Sequence, residues 1–174
     1  VSLLLGNGAG SFSATTNFNV GTNPVFALLV DLNSDGRPDI LTANYGSNNL
    51  TALIGDGVGG FSFVSTFGAG TGPVALATSD FNLDGRPDIA VSNLDSDNLS
   101  VFINSPTGFA PVVNFNVGDG PYHLAIADYN QDQKPDIAVA NLNSDNVSVL
   151  LGNGAGGFGV ATNFSAGTGV FGLT

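Results

Sequence analysis

Three stretches of this sequence place oxygen-bearing side chains at one fixed spacing. They read Asp31-Leu-Asn-Ser-Asp-Gly-Arg-Pro-Asp39, Asp80-Phe-Asn-Leu-Asp-Gly-Arg-Pro-Asp88 and Asp128-Tyr-Asn-Gln-Asp-Gln-Lys-Pro-Asp136. When such a loop curls, the side chains at positions 1, 3 and 5 converge, the backbone carbonyl at position 7 joins them, and the carboxylate at position 9 closes the shell. Hard oxygens in that number suit Ca²⁺, with its about six to eight ligands, better than Mg²⁺. The expected ligands in the first loop are Asp31, Asn33, Asp35, Asp39 and the Arg37 carbonyl. In the second they are Asp80, Asn82, Asp84, Asp88 and the Arg86 carbonyl, and in the third Asp128, Asn130, Asp132, Asp136 and the Lys134 carbonyl. Glycine at position 6 permits the sharp turn. Gln133 stands there in the third loop, which is therefore expected to be the weaker site of the three. The loops are not EF-hands: position 12, a bidentate glutamate in that motif, is Thr42, Val91 or Val139.

Charge follows the loops. Lys and Arg number 3 against 14 acidic residues, all aspartate, for a net charge of -11. The three cations, Arg37, Arg86 and Lys134, all occupy position 7 of the loops. Without metal the crowded carboxylates repel one another. Asp, Asn and Gly also make ordinary solvated turns, but three such loops in phase argue for metal. So acidic a chain lacks the basic surface that nucleic acid requires, and the absence of Cys excludes disulfides and thiolate sites. No apolar run approaches the roughly 18 residues of a membrane span, so membrane insertion is not expected. The start at Val1 and the absence of Met suggest an excerpt or a processed chain.

The elements that position the loops repeat with them: Asp31, Asp80 and Asp128 are 49 and 48 residues apart. Each unit holds four short apolar runs. Val25 to Val30, Val74 to Thr78 and Tyr122 to Ala127 precede the loops and read as strands buried on both faces. A second run follows each loop, and a third follows an Asn/Ser/Asp turn. The fourth carries phenylalanines six apart: Phe12/Phe18, Phe61/Phe67, Phe109/Phe115 and Phe158/Phe164. An even separation puts both rings on one face of a strand, expected to pack one unit on its neighbour. Four short strands per unit of about 48 residues is the arithmetic of a β-propeller blade, with a solenoid of stacked sheets as the alternative. The expected fold is all-β, about three and a half blades of four antiparallel strands in one repeat region. The expected units are a half blade at 1–22, blades at 23–71, 72–119 and 120–168, and the start of another at 169–174. Such a segment is either cut from a larger propeller or completed by further copies of itself.

The three loops, with the links Phe67-Gly-Ala-Gly-Thr-Gly-Pro73, Val20-Gly-Thr-Asn-Pro24 and Val117-Gly-Asp-Gly-Pro121, make the chain resemble the FG-GAP/VCBS repeat family over nearly its whole length. The resemblance to these integrin alpha-chain-like blades implies a propeller, commonly seven-bladed, with structural calcium loops on one face. It also implies an extracellular or cell-surface setting and roles in adhesion or ligand recognition, sugar binding in some members.

Other candidates are weaker. His123, the only histidine, has Phe26 and Ala75 at the matching repeat positions and reads as a strand residue near a blade end. Gly6-Asn-Gly-Ala-Gly10 and its copy at Gly152 read as hairpin turns, since no Lys-Ser/Thr follows. Asp56, Asp95, Asp97, Asp119 and Asp145 sit in turns without a recurring partner for glycoside hydrolysis. Asn49, Asn98, Asn146 and Asn163 open glycosylation sequons, of which the plain alternative is a turn asparagine before a strand hydroxyl. The expectation is therefore a calcium-stabilised, non-enzymatic adhesion or binding module for an extracellular protein or glycan. The alternatives are a self-assembling structural protein and a lectin.

Overall fold

A computed structural model describes residues 1–173. Short turn-bounded runs of Val, Ile, Leu and Phe pair antiparallel with their sequence neighbours, as β-branched and aromatic residues favour. Strands β1 (Ser2–Leu3) and β2 (Thr16–Asn17) form a two-stranded ribbon. Strands β3 (Pro24–Val30), β4 (Asp39–Asn44), β5 (Asn49–Gly55) and β6 (Phe61–Gly68) form the first full blade in chain order. The second blade is β7 (Pro73–Ser79), β8 (Asp88–Asn93), β9 (Asn98–Phe102) and β10 (Val113–Asn116). The third is β11 (Pro121–Ala127), β12 (Asp136–Asn141), β13 (Asn146–Leu150) and β14 (Thr162–Ser165). The fold is all-β, a partial propeller whose meandering sheets pack face to face.

The strands buried along their whole length are the second ones, β4, β8 and β12, and this corrects the expectation for the first. Strands β3, β7 and β11 are covered only in part: β3 alternates between exposed and half-buried positions, and β7 and β11 mix buried with half-buried ones, β11 with exposed ones as well. Each second strand is hydrogen-bonded on both edges and covered on both faces. Each first strand forms an inner sheet edge, and β7 lies against both β3 and β11. The hydrophobic core is accordingly a set of layers between blades. One layer joins Leu41, Leu50, Leu76, Ile89 and Phe102 across blades one and two. The next joins Phe81, Leu99, Val101, Leu124, Ile137 and Leu150 across blades two and three.

The phenylalanine pairs do hold units together, but not from one face. Phe18 meets Phe61 at 5.3 Å, Phe67 meets Phe109 at 4.9 Å, and Phe115 meets Phe158 at 5.5 Å between ring centroids, all edge to face. The first ring of a pair thus packs back on the preceding unit and the second packs forward on the next. In β6 the cause is a bulge, because Ala52 faces Ser65 while Leu53 faces Phe63, and one extra residue moves the later side chains to the other face. Each such ring pair contributes about 0.5–1.5 kcal/mol beyond simple burial.

Candidate functional site

The aspartate loops leave the ends of β3, β7 and β11 and enter β4, β8 and β12. In the first, the amide of Asp35 donates to both Asp31 Oδ1 and Asn33 Oδ1 at 3.0 Å, Gly36 N donates to Asp31 Oδ2, and Arg37 N donates to Asp35 Oδ1. The same bonds recur around Asp80, Asn82 and Asp84, and around Asp128, Asn130 and Asp132. These three residues of each loop therefore turn their oxygens inward on one curled backbone.

The ninth aspartate does something different. Asp39, Asp88 and Asp136 are fully buried. Asp39 Oδ2 accepts from Leu32 N at 2.9 Å and its Oδ1 from Gly55 N at 2.9 Å. Asp88 accepts likewise from Phe81 N and Asn104 N, and Asp136 from Tyr129 N and Gly152 N. Each is a clasp tying the loop to the end of the third strand. Burial pushes the Asp88 carboxyl up, against the opposing pull of the amides of Asn104 and Phe81. Among the described residues, no three Asp or His side chains gather as a metal centre. In each loop the oxygens of positions 1, 3 and 5 thus gather on one turn, and the ninth aspartate supports that turn from behind.

Two residues in each loop adopt left-handed backbone. Position 6 is Gly36 (φ 80), Gly85 (φ 86) or Gln133 (φ 66), and position 4 is Ser34, Leu83 or Gln131 (φ 61, 60 and 63). Side chains with a Cβ are strained there, so Gln133 carries the strain that its sequence position predicts. The third loop compensates in part with an ion pair of 3.0 Å from Lys134 Nζ to Asp132, which holds the Asp132 carboxyl below its ordinary value.

At the opposite end of the sheets lies a cleft of about 380 Å³. Strands β3, β7 and β11 bring the register counterparts Phe26, Ala75 and His123 to it, and the turns after β4 and β8 bring Tyr45 and Leu94. Tyr122 completes the polar rim. A hydrogen bond to Asp95, with that carboxylate's charge behind it, raises the Tyr45 phenol above its ordinary value. His123 Nδ1 accepts from Leu173 N at 3.4 Å, which puts the proton of a neutral ring on Nε2. A phenol with a carboxylate behind it and an imidazole donor in one cleft are means to take a proton from water and to stabilise an oxyanion. The repeat pattern hides this rim. Its signal is the departure from the repeat: His123 where Phe26 and Ala75 stand, and Tyr45 where Leu94 stands.

Three sequons are built into the same end of the blades. Thr51, Ser100 and Ser148 are fully buried, and the Oδ1 atoms of Asn49, Asn98 and Asn146 accept from the amides of Asn44, Asn93 and Asn141. These asparagines serve the turn. Asn163 lies exposed on β14 and accepts from Ser148 Oγ at 2.7 Å.

Residues 31–91 and 80–139 match the sequence family described as the FG-GAP-like repeat. No curated protein matches the chain in sequence. Several solved structures share its fold. The periplasmic gluconolactonase of Pseudomonas aeruginosa superposes with a TM-score of 0.69 at 23% identity, over 90% of this chain and 43% of that one. A protein from Lactobacillus plantarum gives 0.76 at 20% identity, over 97% and 50%. A candidate 6-phosphogluconolactonase of Bacteroides fragilis gives 0.68 at 18% identity, over 90% and 43%. The chain spans half or less of the length of these structures. The expectation of a non-enzymatic adhesion module is corrected here: proteins described as lactonases share this architecture, so the propeller is no argument against catalysis. Among the described residues no helix is long and apolar enough to cross a membrane.

Proposed function

The chain belongs to the FG-GAP-like repeat family, and on that premise we propose that its blades form part of a propeller hydrolase acting on lactones at the His123 cleft. The observation that carries this reading is the placing of Tyr45 and His123 in the lining of one cleft shared by three blades, with the Asp95 carboxylate beside the Tyr45 phenol. The fold shared with a gluconolactonase supports the choice of reaction. Asp95, through the Tyr45 phenol, draws a proton from water, which adds to the lactone carbonyl carbon. His123 Nε2–H bonds to the oxyanion that forms. The ring C–O bond then breaks, and the proton lost by water reaches the ring oxygen, giving an open hydroxy acid.

In this reading the loops are scaffold. Calcium, held by Asp31, Asn33, Asp35 and the Arg37 carbonyl and by their equivalents, relieves carboxylate repulsion and stiffens the end of the blades away from the cleft. Weak sites of this kind fill outside the cytoplasm, where calcium is millimolar, and the periplasmic home of one structural neighbour agrees with that placement. The test is acid release from a panel of lactones above the uncatalysed rate. His123→Ala and Asp95→Asn are each expected to lower kcat/KM by about 100-fold or more with an unchanged circular dichroism spectrum. Hydrolysis equal in the variants and the parent chain overturns the assignment.

A further inference from the structure

We infer that the cleft takes an uncharged lactone bearing an apolar substituent, rather than a polyhydroxylated or phosphorylated sugar lactone. The inference rests on the hydrolase reading and narrows it. Charge excludes the phosphate. The cleft lining holds no Lys or Arg. The chain's three cations all lie in the aspartate loops at the far end of the strands, and the Asp95 carboxylate stands beside Tyr45 of the lining. A dianion entering there would meet a net charge of -11 with no cation to pair.

The walls disfavour a sugar. Val25, Phe26, Val74, Ala75 and Leu94 make the larger part of the lining apolar, and Asn23, Tyr45, Tyr122 and His123 supply its polar part. Hydroxyls set against that apolar part lose water without gaining partners. A methylene buried there gains roughly 10-fold or more in kcat/KM. About 380 Å³ also lies within the range of pockets that enclose small molecules of this kind.

The experiment measures kcat/KM on the intact chain for three probes, δ-nonalactone, glucono-δ-lactone and 6-phosphoglucono-δ-lactone, with the uncatalysed rate subtracted. The expected order is δ-nonalactone first by about 10-fold or more, glucono-δ-lactone second, and no turnover of the phosphorylated probe. A preference for either sugar lactone overturns this inference and leaves the hydrolase reading standing. Hydrolysis of none of the three overturns the hydrolase reading itself. Leu94→Gln, which adds a hydrogen-bonding group to the wall, is expected to narrow the preference by about 5-fold or more. An unchanged ratio in the folded variant counts against the wall as its source.

Discussion

Blades one and three are built from the same repeat, and two of their differences bear on how well their polar groups and turns are satisfied. In blade one, Thr42 donates its hydroxyl to Asn44 Oδ1 at 3.1 Å. Blade three has Val139 at that position and blade two has Val91, and there the buried Oδ1 atoms of Asn141 and Asn93 have no partner. In blade one, Gly36 takes the left-handed turn of the aspartate loop, where blade three has Gln133. Both differences make blade three locally less satisfied, yet its clasp, Asp136, keeps the geometry of Asp39. The blade is thus specified by its clasp and its interblade layers, and the loop and turn details adjust its stability.

The sharpest way to break that comparison is to remove the clasp in each blade separately. Asp39→Ala leaves two buried backbone N–H groups without an acceptor and Asp136→Ala two partly buried ones, at about 3 kcal/mol. Chemical denaturation should show equal losses for the two. A clasp that matters in one blade alone would mean that the blades are not equivalent. Calcium comes next. If the loops hold it, free calcium at about 100 times the dissociation constant adds about 2.7 kcal/mol. The melting temperature should then fall in EDTA and return with calcium but not with magnesium.

Smaller effects separate the blades. Thr42→Val should lose about 1 kcal/mol by orphaning Asn44 Oδ1, and Val139→Thr should gain a similar amount by supplying Asn141 with a donor. Gln133→Gly should stabilise blade three by about 1 kcal/mol and tighten calcium there, which titration calorimetry would register as convergence of the third site on the other two. The smallest effect is a pH slope. The folded Asp88 carboxyl lies above its ordinary value, so the folded chain holds this proton more tightly than the unfolded one. Stability should therefore decline as pH rises from the ordinary carboxylate range toward the raised value. Asp88→Asn should flatten that limb of the melting curve.

Much of this architecture is legible in the order of residues. The repeat length, the run of four strands and the aspartate loops all follow from spacing, because a strand edge and a tight turn are local events. The role of Asp39 is not local. A carboxylate whose oxygens bond Leu32 N and Gly55 N looks the same in sequence as one that closes a metal shell, and only the register of β4 on β5 separates them. The burial of β4 over β3 depends in the same way on which strand stands at the sheet edge. His123 is hidden for the opposite reason. A repeat directs attention to what recurs, and the rim of the cleft is made of residues that do not. The sequons of Asn49, Asn98 and Asn146 illustrate a third limit, since their hydroxyl partners serve the core.

The edge-to-face phenylalanine contacts have a further consequence. Each joins the second ring of one repeat to the first ring of the next, so every blade carries one half of the joint on its leading side and the other half on its trailing side. Blades with that arrangement are interchangeable parts. A unit copied, deleted or moved whole leaves each junction with a complete pair, whereas a cut inside a unit breaks one. The joint is thus compatible with growth by duplication in steps of one blade, and a chain of such blades can lengthen without redesigning any surface that it already has.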